Sequence, residues 1–300
     1  MTPPSDTNPE QSDTPAADAP HAPDASRVPN ATRVPDVTRA ADDTDFNAGD
    51  TLVVPPRVEL VFLPAAFALC WMFASTTFGE ILSFLPRLQF HELGHALVAW
   101  WTGRRALPLP IGFTAWSEER SWLLVGAQGL FTALLAVYGV RERRPGALAI
   151  AVALGLTLTV GVSATLTRSE GWVIAGGQIG ETLLPAVVVA AFHLRLPQRL
   201  RWDFWRWLAV LVALFALASA VRSGWLIAAG ERPLPWGALL GQESDGDLNR
   251  LVAEHGWTEP ELRRLFGRLP TLALLIAFVP HAVVSGLRAW RDRAQHHDDT

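Results

Sequence analysis

Hydrophobic and polar positions fall in long blocks along this chain rather than in short periods. Apolar runs occupy about residues 60–79, 86–103, 122–140, 146–167, 172–193, 207–229 and 270–290. Each is close to the roughly 20 residues that a helix needs to cross a bilayer. A helix that is apolar all round belongs inside a bundle or in lipid. The pattern therefore predicts an all-α, polytopic membrane bundle of about seven transmembrane helices.

The polar blocks set the boundaries. Residues 1–56 are rich in Pro, Ala, Asp and Thr and have almost no large apolar side chains. Such a segment cannot bury enough surface to offset its ordering entropy, so a disordered tail is expected. It shows no basic start followed by an apolar core, the layout of a signal peptide. A membrane core over 57–230 follows, with a turn framed by Glu80 and Pro86 before the second run. Residues 104–121 are too short and broken to span. Leu107-Pro108-Leu109-Pro110-Ile111 is held extended by its prolines, and Gly112-Phe113-Thr114-Ala115-Trp116 is apolar and β-prone.

Residues 231–268 are polar enough to leave the membrane. Asp247 can cap a helix running to about His255, and Thr258-Glu259-Pro260-Glu261 is a capping box for a second short helix. Leu248, Leu251, Leu262, Leu265 and Phe266 give this pair an apolar face, which predicts a helical hairpin on the membrane surface. Residues 269–290 then form the last span, and 291–300 a short polar tail.

Composition sharpens the membrane reading. Half of the residues are hydrophobic, and mean hydropathy is +0.21 even with the polar tail included. The net charge of -4 owes much to that Asp-rich tail. All basic side chains are arginine, and their clusters at 141–144, 195–206 and 288–293 place the C-terminal side in the cytoplasm by the positive-inside rule. The single cysteine, Cys70, excludes an internal disulfide and a thiolate cluster.

Candidate chemistry concentrates in the second run. His91-Glu92-Leu93-Gly94-His95 is an H-E-x-x-H motif. On a helix the two histidines are one turn apart and face the same way. They can hold one zinc ion, with Glu92 as general base on a zinc-bound water. No charged residue lies between His95 and Arg104, so the motif continues into an apolar helix. Ionisable groups in a membrane span are costly and mark function.

A catalytic zinc usually has three protein ligands. Glu181 is the acid deep inside another span and the expected third ligand. The alternative is a structural acid paired with Gln128 or Arg222. Gly176, Gly177 and Gly180 beside it would let helices approach closely. Asp245, Asp247 and His281 are fallback ligands. A turn and a cap explain the aspartates, and a kink-associated hydrogen bond explains the histidine.

The stretch HELGHALVAWWTG resembles the first core helix of the site-2 protease family, the intramembrane zinc metalloproteases. Gly103 matches the glycine that follows that helix, and Gly126-Ala127-Gln128-Gly129-Leu130 is weakly similar to the entry to the next span. The resemblance covers about residues 86–192. It implies a zinc-dependent endopeptidase that cleaves membrane-anchored proteins or peptides within the lipid of a bacterial cell membrane. It also implies that the extended loop after the motif presents the substrate backbone. The family's third ligand is an aspartate in an Asn/Pro…Asp-Gly pattern two spans on, which has no counterpart here. His-His-Glu ligation instead resembles that of glutamate-type zincins, some of them membrane peptidases. The other class left open is a non-catalytic membrane protein with a structural or regulatory metal site.

Overall fold

The computed structural model describes residues 56–193, 203–237 and 246–298. The chain is mostly helical. Its elements are α1 (Pro56–Ala74), α2 (Thr77–Trp101), β1 (Arg104–Leu109), β2 (Phe113–Arg120), α3 (Trp122–Arg141), α4 (Pro145–Ser163) and α5 (Leu166–Ala190). A 3-10 turn (Ala191–His193) ends α5, and α6 (Asp203–Ala228), α7 (Asp247–His255) and α8 (Glu259–Asp298) follow. Residues 1–55 of the expected tail, residues 195–202 and Asp245 lie outside the described residues.

Among the described residues, α3, α4, α5, α6 and the Glu259–Arg288 part of α8 are each long and apolar enough to cross a membrane. The first two expected spans are a bent pair: α1 and α2 meet the same criterion together, with a 113° bend between them. The bend falls at Ser75 and Thr76, not between Glu80 and Pro86. Thr76 caps α2 by accepting a hydrogen bond from the Gly79 amide. A Cβ on Gly79 would overlap the Phe73 carbonyl, so the elbow needs a glycine there. Pro86 is carried inside α2.

The sheet is the departure from an all-α bundle. β1 and β2 pair antiparallel, with Ala106 opposite Trp116 and Pro108 opposite Thr114. Gly112, at φ +84°, makes the turn between them. Pro108 lacks an N–H and sits on an edge strand, where prolines in sheets are tolerated. The β-prone segment after the motif thus folds as half of a hairpin.

The core lies among α1, α5, α6 and α8. Leu63, Val189, Val210, Leu214, Leu217 and Ala277 are buried there together. Well over half of the α5 and α6 spans is buried, against little of α3 and α4. In lipid, apolar packing supplies no hydrophobic drive between helices, so small residues that permit close approach decide which helices meet. On α6 these are Ala213, Ala216, Ala218 and Ala220.

A second apolar cluster seats α7. Leu248 and Leu251 pack with Leu262 and Phe266 of α8, Ile227 of α6 and Ile174 of α5. The capping box forms as expected, with the Thr258 N–H donating to Glu261 Oε2 at 2.9 Å. The second arm of the expected hairpin, however, runs unbroken into the last span as α8. Pro270 is accommodated inside that helix.

Candidate metal centre

The site is built on the crossing of α2 and α5. Gly94 of α2 meets Gly176 and Gly180 of α5 so closely that a Cβ on Gly94 would overlap the Gly176 carbonyl and Gly180 Cα. Two membrane helices approach this closely only through small residues. The crossing brings the His91–His95 face of α2 against α5. Gly177 completes the fit, because a Cβ there would overlap Nε2 of both histidines.

His95 is buried, and its Nδ1 lies 2.7 Å from the Val173 carbonyl. A carbonyl oxygen only accepts, so Nδ1 carries the proton and Nε2 presents a lone pair when the ring is neutral. Trp116 of β2 stacks on the ring at 5.6 Å and 27°. His91 Nδ1 faces Glu181 Oε2 at 3.4 Å. Glu181 in turn accepts from Arg87 Nε at 2.6 Å. Arg87 Nη1 reaches Ser219 Oγ of α6 at 3.2 Å, and Ser83 Oγ donates to the same oxygen at 2.8 Å.

The structure brings Asp247 to the two histidines. Its Oδ2 lies 2.9 Å from His91 Nε2 and 3.0 Å from His95 Nε2, and the two Nε2 atoms are 3.1 Å apart. Among the described residues, His91, His95 and Asp247 form a group close enough to hold a metal ion. Asp247 is not the cap expected of it: Gly246 occupies the N-cap position, and Asp247 opens the first turn of α7. Burial opposes its charge, but its contacts with His91 and His95 outweigh that and hold its carboxyl well below the usual carboxylate range.

The donor set fits a zinc-like cation. Ligands at about 2.0–2.1 Å around a tetrahedral ion are about 3.3 Å apart. The three observed edges fall a few tenths of an ångström short of that. Each imidazole turns its Nδ1 toward an oxygen, Val173 O or Glu181 Oε2, leaving Nε2 to converge on the carboxylate. Outer acceptors of this kind orient metal-binding histidines and raise their basicity. Three electron-rich atoms at mutual hydrogen-bond distance repel one another unless a proton or a cation lies between them.

Glu92 is buried and held by the hairpin. The Thr114 hydroxyl lies 2.6 Å from its Oε2 and 2.9 Å from its main-chain carbonyl. That arrangement ties one carboxylate oxygen to β2.

The sequence-expected residues thus separate. His91 and His95 converge as expected, Glu92 lies beside them in the chain, and Glu181 meets His91 at Nδ1, away from the Nε2 group. His281 is elsewhere, with Nε2 3.1 Å from the Leu60 carbonyl, as a helix-linking hydrogen bonder would be. The signal for Asp247 was an acid opening a helix with an apolar face, which the sequence alone reads as a cap. The chain matches no protein-family model, no curated protein and no solved structure, and the donor set itself carries the chemical reading.

Proposed function

We propose that this chain is a zinc-dependent intramembrane endopeptidase. His91, His95 and Asp247 hold the metal, and Glu92 is the general base. The convergence of three ligand atoms, with the buried Glu92 beside His91 in the chain and helices long and apolar enough for a membrane around them, supports the reading. The role given to Glu181 in the sequence reading passes to Asp247, and Glu181 orients the His91 ring.

A zinc ion in this group would polarise the scissile carbonyl and the attacking water. Glu92 would be the base that takes a proton from the attacking water and returns it to the leaving amine. Thr114 keeps one oxygen of its carboxylate engaged. His95 is held by Val173 and Trp116, which keeps Nε2 turned to Asp247 and His91, where it would hold the ion.

The substrate is a membrane-anchored protein or peptide, because the site belongs to membrane helices. Its cleavable stretch must be unwound to expose a carbonyl. β2 contacts both Glu92 and His95, so an extended substrate backbone added along the hairpin would lie next to the site. With the bent α1–α2 pair counted as one span, the described helices offer up to six candidate spans, and the motif lies on the second half of that pair.

The test combines metal content with turnover. Detergent-purified protein is assayed for zinc and for cleavage of single-span peptides. Glu92→Gln is expected to keep zinc and lose cleavage. Wild-type protein that binds zinc but cleaves no membrane peptide would favour the structural-metal class. Cleavage retained in Glu92→Gln would refute the mechanism.

A further inference from the structure

Arg87 stands one turn before His91 on α2, and Ser83 one turn before Arg87, so the three share one stripe of that helix. Glu181 of α5 and Ser219 of α6 meet this stripe. The sequence offered Gln128 or Arg222 as a partner for Glu181. The fold gives it Arg87 in an ion pair, while Gln128 donates to the Trp100 carbonyl.

These contacts divide the Glu181 carboxylate. Arg87 Nε donates to Oε1 at 2.6 Å, and Nη2 reaches the same oxygen. Oε2 is the oxygen that faces His91 Nδ1, at 3.4 Å. Arg87 Nη1 donates to Ser219 Oγ at 3.2 Å, and that oxygen also accepts from Ser83 Oγ at 2.8 Å. Both serines are buried. All three guanidinium nitrogens are therefore engaged, two with one carboxylate oxygen and one with α6.

Neutralising Glu181 does not require this arrangement. A lysine would do so as a point charge with rotatable donors, whereas the planar guanidinium fork fixes where its partner lies. Pairing by itself also adds little stability, because the desolvation of two buried charges roughly cancels their attraction. What the fork adds here is direction. With Oε1 taken by two nitrogens, Oε2 is the oxygen left for His91. A ring whose Nδ1 is turned to that oxygen presents Nε2 on its other side, where His95 Nε2 and Asp247 Oδ2 converge.

We infer that Arg87 is a positioning residue of the metal centre. Through Glu181 it sets the orientation of the His91 ring, and through Ser219 it ties that orientation to α6, a third helix beyond the α2–α5 crossing. The role rests on the metal reading above, and it deepens that reading by naming what aims one of the two histidines.

The test is a double-mutant cycle on full-length protein in detergent: wild type, Arg87→Lys, Glu181→Gln and the double variant. Each is assayed for zinc affinity by chelator competition and, with cobalt(II) in place of zinc, for its visible absorption bands. Arg87→Lys keeps the charge, so Glu181 is not left buried and unpaired. It is expected to weaken zinc about tenfold, the low end for partners of a metal-binding histidine, and to shift the cobalt bands. In the Glu181→Gln background the same substitution should change affinity by less than about twofold and leave the bands in place, because the residue it acts through is already altered. Ser219→Ala keeps the ion pair but frees Nη1 from α6, and should weaken zinc by about threefold, the worth of one hydrogen bond. That variant carries the test if Arg87→Lys does not fold. Wild-type affinity and bands in Arg87→Lys would reduce Arg87 to a counter-charge and overturn the role, and wild-type behaviour of Ser219→Ala would overturn the link to α6. An equal loss from Arg87→Lys in both backgrounds would overturn the route through Glu181. Wild-type protein that holds no tight zinc overturns the metal reading itself, before any variant is compared.

Discussion

Removing the Asp247 carboxylate tests the metal centre most directly. Asp247→Ala deletes the one oxygen of the three converging ligand atoms and leaves both histidine contacts with α5 in place. Complete zinc sites in small peptides bind with about 10–16 kcal/mol from four ligands, so one ligand carries on the order of 3–4 kcal/mol. At 1.4 kcal/mol per tenfold, zinc affinity should fall by roughly 10²–10³. Glu181→Gln removes only an outer charge from His91 Nδ1 and keeps an acceptor oxygen there. Outer-partner mutations typically cost 10–100-fold, so this variant should fall at or below that range. The assay is competition for zinc against a chelator of known affinity, in detergent, on wild type and both variants. Folding is a fair control, because Leu248 and Leu251 still seat α7 in its apolar cluster. If Glu181→Gln loses more affinity than Asp247→Ala, the His91–His95–Glu181 set of the sequence reading is the ligand set, and the assignment of Asp247 is refuted.

Other expectations follow from the same geometry. Glu92→Gln should bind zinc as wild type does and lose peptide cleavage by at least 10²-fold, the low end of general-base contributions, read by mass spectrometry of products. Gly180→Ala drives a methyl into the Gly94 backbone and should lower thermal stability by about 1–3 kcal/mol, measured by melting in detergent. Gly177→Ala presses instead on the tips of two side chains, so it should reduce zinc content more than stability. The Glu261 carboxyl is held below the usual range by the backbone N–H and hydroxyl of Thr258. Its capping contribution should therefore be intact at neutral pH and fade only as pH falls below about 4. Hydrogen exchange at the start of α8, compared with Glu261→Gln across that interval, checks the sign.

Much of the architecture was legible because a bilayer demands long apolar blocks. The runs at 122–140, 146–167, 172–193 and 207–229 correspond to α3, α4, α5 and α6, with the α4–α5 boundary expected about four to six residues too late. The elbow between α1 and α2 was placed late because Pro86 reads as a breaker. The decisive signals were smaller, the Thr76 cap and a glycine at 79 that can sit under a carbonyl. The hairpin was legible as β-prone and proline-extended sequence. That it pairs with itself and clamps Glu92 depends on Thr114 meeting a carboxylate 22 positions away, which no local pattern records.

The acid that joins the two histidines was hard to read for a related reason. Burial of an acid in a span is a strong local signal, and Glu181 carries it. What that burial serves depends on its neighbours, and here Arg87 pairs with it and His91 Nδ1 faces it. Asp247 carries the opposite signal, an acid in a polar segment at a helix start, where capping is a sufficient explanation. Only the fold brings it 156 positions back to His91. The apolar face of α7, read in the sequence as a membrane-surface feature, is what does this: Leu248 and Leu251 dock beside Ile174 of α5, three residues from Gly177, against which the histidines sit. On the proposed reading, Asp247 ties metal affinity to how well α7 is seated. Any ion bound through Asp247 also favours the seated state, since a ligand that prefers one state shifts the population toward it. The Arg250–Glu170 ion pair and the Arg250 guanidinium over Trp116 link α7 to α5 and β2, the same two elements that hold the His95 ring. Motif helix, hairpin and α7 are therefore parts of one assembly, and the zinc competition series reads its integrity as well as its ligands.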